Sequence, residues 1–66
     1  MPIIRIDIGR ITRDQKLSLI DKLTAASAEI TKIPASAFTV LINELDDDNI
    51  GVGGKPLSEV KKQQNT

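Results

Sequence analysis

Two apolar segments with a period of two residues flank one long segment with a helical period. In the first, Ile4, Ile6 and Ile8 share one side of Ile3–Ile8, which is typical of a strand with one buried face. The second, Phe38–Ile42, is rich in β-branched and aromatic residues, which favour a strand. A strand, a crossover helix and a second strand predict a β-α-β unit with parallel strands and a right-handed connection.

The segment between these strands begins with a capping signal. Thr12 is followed three residues later by Gln15, which has the form of a capping box and predicts a helix from near Arg13. Pro34 disfavours helical backbone just before it, so we expect the helix to end near Thr31. The apolar stripe of this helix is Leu17, Ile20, Leu23, Ser27 and Ile30, widened by Leu19 and Ala26, and its polar side carries Lys16, Asp21, Lys22 and Glu29.

The chain after the second strand is rich in turn residues. Asp46–Asn49 resembles a cation-binding run but lacks the later bidentate acid of a calcium loop, so it predicts a solvated acidic turn and no metal site. Gly51–Gly54 follows a turn and does not open a helix, which favours a β-hairpin with glycines at positive φ over a phosphate-binding loop. Leu57–Lys62 predicts a short helix or an arm onto a neighbouring subunit.

The whole chain of 66 residues predicts a single domain, 1–66, of the α/β (α+β) class. A core of this size is marginal, and a small scaffold is usually stabilised by disulfides, by a metal or by partner subunits. The sequence has no Cys and no His, which leaves homo-oligomerisation as the expected stabiliser. One helix also covers only one face of two strands, and both strands are edges, so we expect subunits to pair.

Charge and composition exclude several classes of partner. Nine Lys and Arg balance nine Asp and Glu, and Phe38 is the single aromatic residue. A nucleic-acid binder needs a basic stripe or stacking rings, so we expect no nucleic-acid partner. No apolar run approaches the roughly 18 residues of a membrane span, and the N-terminus does not have the form of a secretory signal. We therefore expect no membrane association and a cytoplasmic location.

Catalytic arrangements that use His or Cys are excluded by composition, and this directs attention to Pro2. If Met1 is removed, Pro2 becomes a chain-terminal secondary amine, and an ordered strand would hold that base in one place. The alternative is that Pro2 only begins the strand, where its missing N–H costs no ladder bond. Retention of Met1 would make the Pro2 nitrogen a non-basic amide.

Several short segments occur in one order along nearly the whole chain. They are Met1–Ile4 at the start, Gly9-Arg10 before the helix, Asp14–Lys16 with Leu19-Ile20 in its first turns, Val40–Glu44 in the second strand and Asn49–Gly54 in the hairpin. In this order, and in a chain of this size, they resemble the short tautomerase family typified by 4-oxalocrotonate tautomerase. The resemblance implies β-α-β subunits that pair into a four-stranded sheet, with dimers assembling into a homohexamer.

The resemblance also implies a cofactor-independent keto-enol tautomerase, an isomerase. Pro2 would act as the general base on a small unsaturated 2-oxo or 2-hydroxy acid, taking a proton from one carbon or enol oxygen and returning it elsewhere. Burial and nearby cations both disfavour a protonated amine, so they would lower its pKa towards neutral pH. The same cations would hold the substrate carboxylate and the oxyanion of the dienol intermediate.

The substrate-binding positions implied by the resemblance are Arg10, Thr39 and Ile50. The family usually has an arginine in the loop before the helix, and this chain has Arg10 there. It also has an arginine in the second strand and an aromatic residue in the hairpin, where this chain has Thr39 and Ile50. Ile50 still desolvates the amine, but Thr39 cannot replace a guanidinium. We therefore expect a substrate other than a dicarboxylate, or another cation in this role, with three candidates: Arg5, Arg13 and Lys55.

Two other functions stay open on the sequence. The missing strand arginine is compatible with a non-catalytic oligomeric binding protein on a tautomerase scaffold. The other function is a structural assembly in which the acidic turn and the tail serve only subunit contacts. Intact mass discriminates between these functions and catalysis, because retention of Met1 favours the non-catalytic ones.

Overall fold

The computed structural model describes the backbone of residues 1–64 and the side chains of residues 1–61. Its elements in chain order are strand β1 (Ile3–Ile8), helix α1 (Arg13–Thr31), a 3₁₀ turn (Ala35–Ala37), strand β2 (Thr39–Glu44), a second 3₁₀ turn (Asp47–Asn49), strands β3 (Gly51–Val52) and β4 (Lys55–Pro56), and helix α2 (Leu57–Gln64). The α+β class, the β-α-β unit and the hairpin after it are confirmed. Within the described residues, neither helix is long and apolar enough to cross a bilayer.

Strands β1 and β2 are parallel and in register from Ile3 opposite Thr39 to Ile8 opposite Glu44. The second strand was predicted from Phe38 to Ile42, but it begins one residue later and continues to Glu44. The preceding 3₁₀ turn explains the later start, because its closing hydrogen bond runs from the Phe38 N–H to the Ala35 carbonyl. Thr39 is therefore the first residue of this segment that pairs with the neighbouring strand.

Both ends of helix α1 are set by local hydrogen bonds. The Thr12 side chain accepts from the Gln15 N–H, and the Gln15 side chain accepts from the Thr12 N–H, so the predicted capping box is confirmed. At the other end Lys32 has a left-handed backbone with φ 63°, and its N–H bonds to the Ala28 carbonyl. The helix thus ends at Thr31, as predicted.

The predicted apolar stripe of α1 is only partly turned toward the sheet. Leu17, Ile20 and Ile30 are exposed, Ile30 by 80%. Lys16, predicted on the polar side, is half-buried, and its ammonium pairs with the Glu44 carboxylate. The half-buried side of α1 is formed by Lys16, Leu19, Leu23, Thr24, Ser27 and Ala28. A sheet of two strands is narrower than the stripe, so part of the stripe is left without cover in the single chain.

The two faces of the β1–β2 sheet also differ in exposure. Ile4, Ile6 and Ile8 on the face toward α1 are half-buried, whereas Ile3 and Leu41 on the opposite face are about half exposed. Among residues 1–61, no hydrophobic side chain is fully buried within the chain. The core of the single chain is therefore one helix against one face of two strands, and the other face is open.

The second sheet is a small hairpin. Strands β3 and β4 are antiparallel, with Val52 opposite Lys55. Gly53 and Gly54 between them have φ of 60° and 85°, so the prediction of glycines at positive φ is confirmed. Helix α2 follows directly, and the Leu57 N–H donates to the Ile50 carbonyl at 2.7 Å. Of the two forms predicted for this segment, the structure shows the short helix.

Candidate active site

Pro2 is fixed to the start of strand β2. Its carbonyl oxygen accepts a hydrogen bond from the Thr39 N–H at 3.0 Å, one position before the β1–β2 ladder begins. Pro2 is half-buried, while Met1 before it is 90% exposed. Removal of Met1 would leave a secondary amine at the start of the sheet, beside the carbonyl that this hydrogen bond fixes.

Arg10 lies in the loop between β1 and α1, where an aspartate binds it. The Arg10 Nε donates to Asp46 Oδ1 at 2.5 Å, and the two side chains are 75% and 50% exposed. The guanidinium holds the pKa of Asp46 below its ordinary value, first through this hydrogen bond and then through its charge. The same pair raises the pKa of Arg10. Both groups are therefore charged at neutral pH.

Glu44, the last residue of β2, connects this loop to helix α1. One carboxylate oxygen accepts from the Ile11 N–H at 3.2 Å, and the other pairs with the Lys16 ammonium. The hydrogen bond from Lys16, followed by that from Ile11, lowers the pKa of Glu44. The Glu44 carboxylate thus binds the residue before the capping box, Ile11, and the residue after it, Lys16. The bond to Ile11 also ties the neighbouring Arg10 to the end of β2.

The predicted site residues fall at two opposite ends of the sheet. Pro2 and Thr39 lie together at the start of the parallel strands, whereas Arg10 follows the end of β1. Six residues of strand separate these ends, which is about 20 Å at a rise of about 3.3 Å per residue. Ile50 belongs to the far end as well, because it closes the 3₁₀ turn that follows β2. Within one chain the structure brings Pro2 to Thr39 but does not bring Arg10 or Ile50 to them.

A polar cavity of about 380 Å³ opens beside Arg10. The loop before α1 forms one wall, and the segment after β2 together with helix α2 forms the others. Lys61 of α2 donates to both carboxylate oxygens of Asp47 at 3.1 Å. The lining residues are Gly9, Arg10, Leu45, Asp46, Asp47 and Lys61.

Sequence reasoning missed Lys61 and Asp46 as parts of this site. Lys61 is 14 residues from its partner Asp47, and Arg10 is 36 residues from Asp46. No local spacing rule connects charges so far apart in the chain. The available signal was the run of acidic residues after β2, because parallel pairing places that run at the same end of the sheet as the loop that carries Arg10.

The three cations proposed to replace a strand arginine are all exposed and lie outside this cavity. Arg5 is on the open face of the sheet opposite Leu41, Arg13 is the first residue of α1, and Lys55 is in β4. None of the three forms an ion pair with the part of the chain whose side chains are described.

The acidic turn distributes its carboxylates among different partners. Asp46 binds Arg10, Asp47 binds Lys61, and Asp48 accepts from the Ser58 hydroxyl at 2.7 Å. Over residues 1–61, no group of three acidic side chains converges as metal ligands would. The turn thus connects the end of β2 to the loop before α1 and to α2.

Known proteins match both the sequence and the fold. Residues 2–60 match the family model for tautomerase enzymes. The chain is 38% identical over 64 residues to the 2-hydroxymuconate tautomerase of Pseudomonas sp. (strain CF600), covering 94% of this chain and 100% of that protein. TomN, a 4-oxalocrotonate tautomerase homologue in the tomaymycin biosynthetic pathway, superposes with a TM-score of 0.86 at 27% identity, covering 92% of this chain and 95% of its own.

A second solved structure comes from an assembly of several chains. It is a heterohexamer 4-oxalocrotonate tautomerase from Chloroflexus aurantiacus, similar to this chain with a TM-score of 0.81 and 28% identity. The match covers 91% of this chain and 98% of that one. Sequence and fold agree over most of both partners in each comparison. The chain therefore belongs to the tautomerase family.

Proposed function

We propose that this chain is a cofactor-independent keto-enol tautomerase in which Pro2, after removal of Met1, is the general base. The observation that carries the proposal is the position of Pro2, which is hydrogen-bonded to Thr39 and preceded by one exposed residue. Membership of the tautomerase family supports the reaction class. The substrate is a small unsaturated acid with a 2-oxo or 2-hydroxy group.

The reaction moves one proton and needs no exchange of electrons with a second reactant. The Pro2 amine removes a proton from the enol hydroxyl or from a carbon beside the ketone, which produces a dienolate. The protonated amine then returns the proton to another carbon of the same conjugated system. Positive charge beside the dienolate oxygen stabilises the intermediate, and it also disfavours the protonated amine before reaction.

In this proposal the complete site is formed by more than one subunit. Pro2 and Arg10 lie beyond opposite ends of strand β1, which is about 20 Å long. Arg10 would therefore bind the carboxylate of a substrate held at the Pro2 of another copy, and Ile50 would exclude water there. The open sheet face and the exposed part of the α1 stripe supply apolar surface for such a homo-oligomer, and the heterohexamer from Chloroflexus aurantiacus shows that a chain of this fold assembles to six subunits.

A binding protein without turnover is the second candidate function. The observation in its favour is that the Arg10 guanidinium is already paired with Asp46, while position 39 carries no charge. A site in which the cation is already neutralised by an acid can still bind a small molecule, but it would not stabilise the negative charge of an enolate. The test of Pro2 distinguishes this function from catalysis.

The proposal is tested by replacing the base. With Met1 removal verified by intact mass, Pro2→Ala should lower kcat/KM for ketonisation by about 10²-fold or more, because a general base contributes about 10²–10⁴-fold and alanine supplies a primary amine of different basicity. The substrates are the enol of phenylpyruvate, with one carboxylate, and 2-hydroxymuconate, with two.

Two controls separate catalysis from folding. Pro34→Ala makes the same substitution at an internal, exposed proline and should leave kcat/KM within twofold. Wild-type protein that retains Met1 should be inactive, since its Pro2 nitrogen is an amide. Activity that persists in Pro2→Ala or in the Met1-containing protein contradicts the proposed role of Pro2.

A further inference from the structure

The Arg10–Asp46 pair stands at the edge of the polar cavity. Asp46 Oδ1 accepts from the Nε of Arg10, so one N–H of the guanidinium points at an aspartate and the others remain for a ligand. The pair is exposed, and ion pairs of this kind are weak because water solvates both partners. An incoming carboxylate can therefore displace Asp46.

The cavity is electrically balanced by residues of its own lining. Arg10 and Lys61 contribute two positive charges, and Asp46 and Asp47 contribute two negative charges. Each cation is bound by one of the acids, at Nε for Arg10 and at the ammonium for Lys61. An anionic ligand meets no net positive charge before one of these pairs opens.

We infer that Asp46 is a positioning residue that competes with the substrate carboxylate for Arg10 and thereby weakens the binding of anionic substrates. The inference rests on the proposed function, in which Arg10 binds that carboxylate. It assigns to Asp46 a control over substrate affinity, with no part in proton transfer.

The test is Asp46→Asn, which keeps the shape of the side chain and removes its charge. The KM for the enol of phenylpyruvate should fall by about two- to fivefold, the range expected for releasing one exposed ion pair, and kcat should stay within twofold. A KM that is unchanged or higher in this variant overturns the inference.

Two further variants show whether the effect passes through Arg10. Asp48→Asn removes the same charge from the same turn, but Asp48 binds Ser58, so its KM should match the wild type. In an Arg10→Ala background, Asp46→Asn should no longer lower KM. An equal decrease with and without Arg10 would show a general charge effect and overturn the inference.

A measurement without turnover keeps this test independent of the proposed function. The NMR signal of the Arg10 Nε–H is followed at pH 6 while sorbate, an unreactive unsaturated monocarboxylate, is added. The sorbate concentration at half-shift should be about two- to fivefold lower in Asp46→Asn than in the wild type. Equal half-shift concentrations in the two proteins overturn the competition. If the wild type turns over neither substrate but Asp46→Asn still binds sorbate about two- to fivefold more tightly, only the proposed reaction is contradicted.

Discussion

At the scale of single residues, position 39 has the clearest consequence for the choice of substrate. Thr39 donates its backbone N–H to Pro2 and carries a neutral side chain. A neutral hydroxyl makes one weak hydrogen bond to a carboxylate, whereas a guanidinium makes two charge-assisted ones. In the proposed site, position 39 would therefore determine whether a substrate with one carboxylate or with two is favoured.

Thr39→Arg should lower the KM for 2-hydroxymuconate by about tenfold or more, since a hydrogen bond to a charged group contributes about 1.5–3 kcal/mol. The KM for the enol of phenylpyruvate should change much less, because in the proposed site Arg10 binds its one carboxylate. Steady-state kinetics with both substrates checks this. Thr39→Gln is the matched control, with a long polar side chain and no charge. A similar gain in Thr39→Gln, or no gain in Thr39→Arg, would show that charge at this position does not set the preference.

At the scale of elements, Glu44 connects β2 to the loop and helix that precede it in the chain. Its two carboxylate oxygens bind the Ile11 N–H and the Lys16 ammonium, and these bonds lower its pKa. A carboxyl with a lowered pKa in the folded state stabilises the fold above its ordinary pKa. That stabilisation is lost as the pH falls through the folded-state pKa, below the ordinary value of 4.5.

Glu44→Gln should therefore lower the Tm at pH 7 and make the loss of Tm between pH 5 and pH 3 shallower than in the wild type, a window on both sides of the ordinary pKa of 4.5. Thermal unfolding at one protein concentration and low salt measures both effects. Glu29→Gln, at an exposed position of α1, is the control and should follow the wild-type pH profile. Equal slopes in Glu44→Gln and the wild type would contradict a role for Glu44 in the acid response.

At the scale of the whole molecule, the single chain leaves too much apolar surface in water. Leu17 and Ile20 on α1, with Ile3 and Leu41 on the open sheet face, are 41–52% exposed. Full burial of one such side chain stabilises by about 1.5–3 kcal/mol, and a small chain without disulfides needs this contribution. The proposed association of copies would turn these faces into a core.

Leu41→Lys should dissociate the oligomer to a smaller species and lower Tm, because it places a charge at the centre of the open sheet face. Sedimentation velocity at micromolar concentration measures the change. Glu29→Lys, which introduces the same side chain at an exposed helix position, should keep the wild-type mass. A wild-type monomer, or an unchanged assembly in Leu41→Lys, would contradict the association proposed here.

The features that were predicted correctly depend on residues close together in the chain. The bounds of β1 and α1, the Thr12–Gln15 capping box and the positive φ of Gly53 and Gly54 all follow from rules that span a few residues. Backbone sterics and local hydrogen bonds act the same way in any fold. The class and the β-α-β order follow from them, because parallel strands need a long crossover.

By itself, the sequence determined these elements, their order and the candidate base at Pro2. Only the tertiary structure decided which side of α1 meets the sheet, with Lys16 turned toward Glu44, and which cations face which acids around Arg10. Those pairings join residues that are tens of positions apart, so they depend on how the elements pack. For the same reason the structure separates Pro2 from Arg10: parallel pairing places the starts of both strands at one end and the loop that follows β1 at the other.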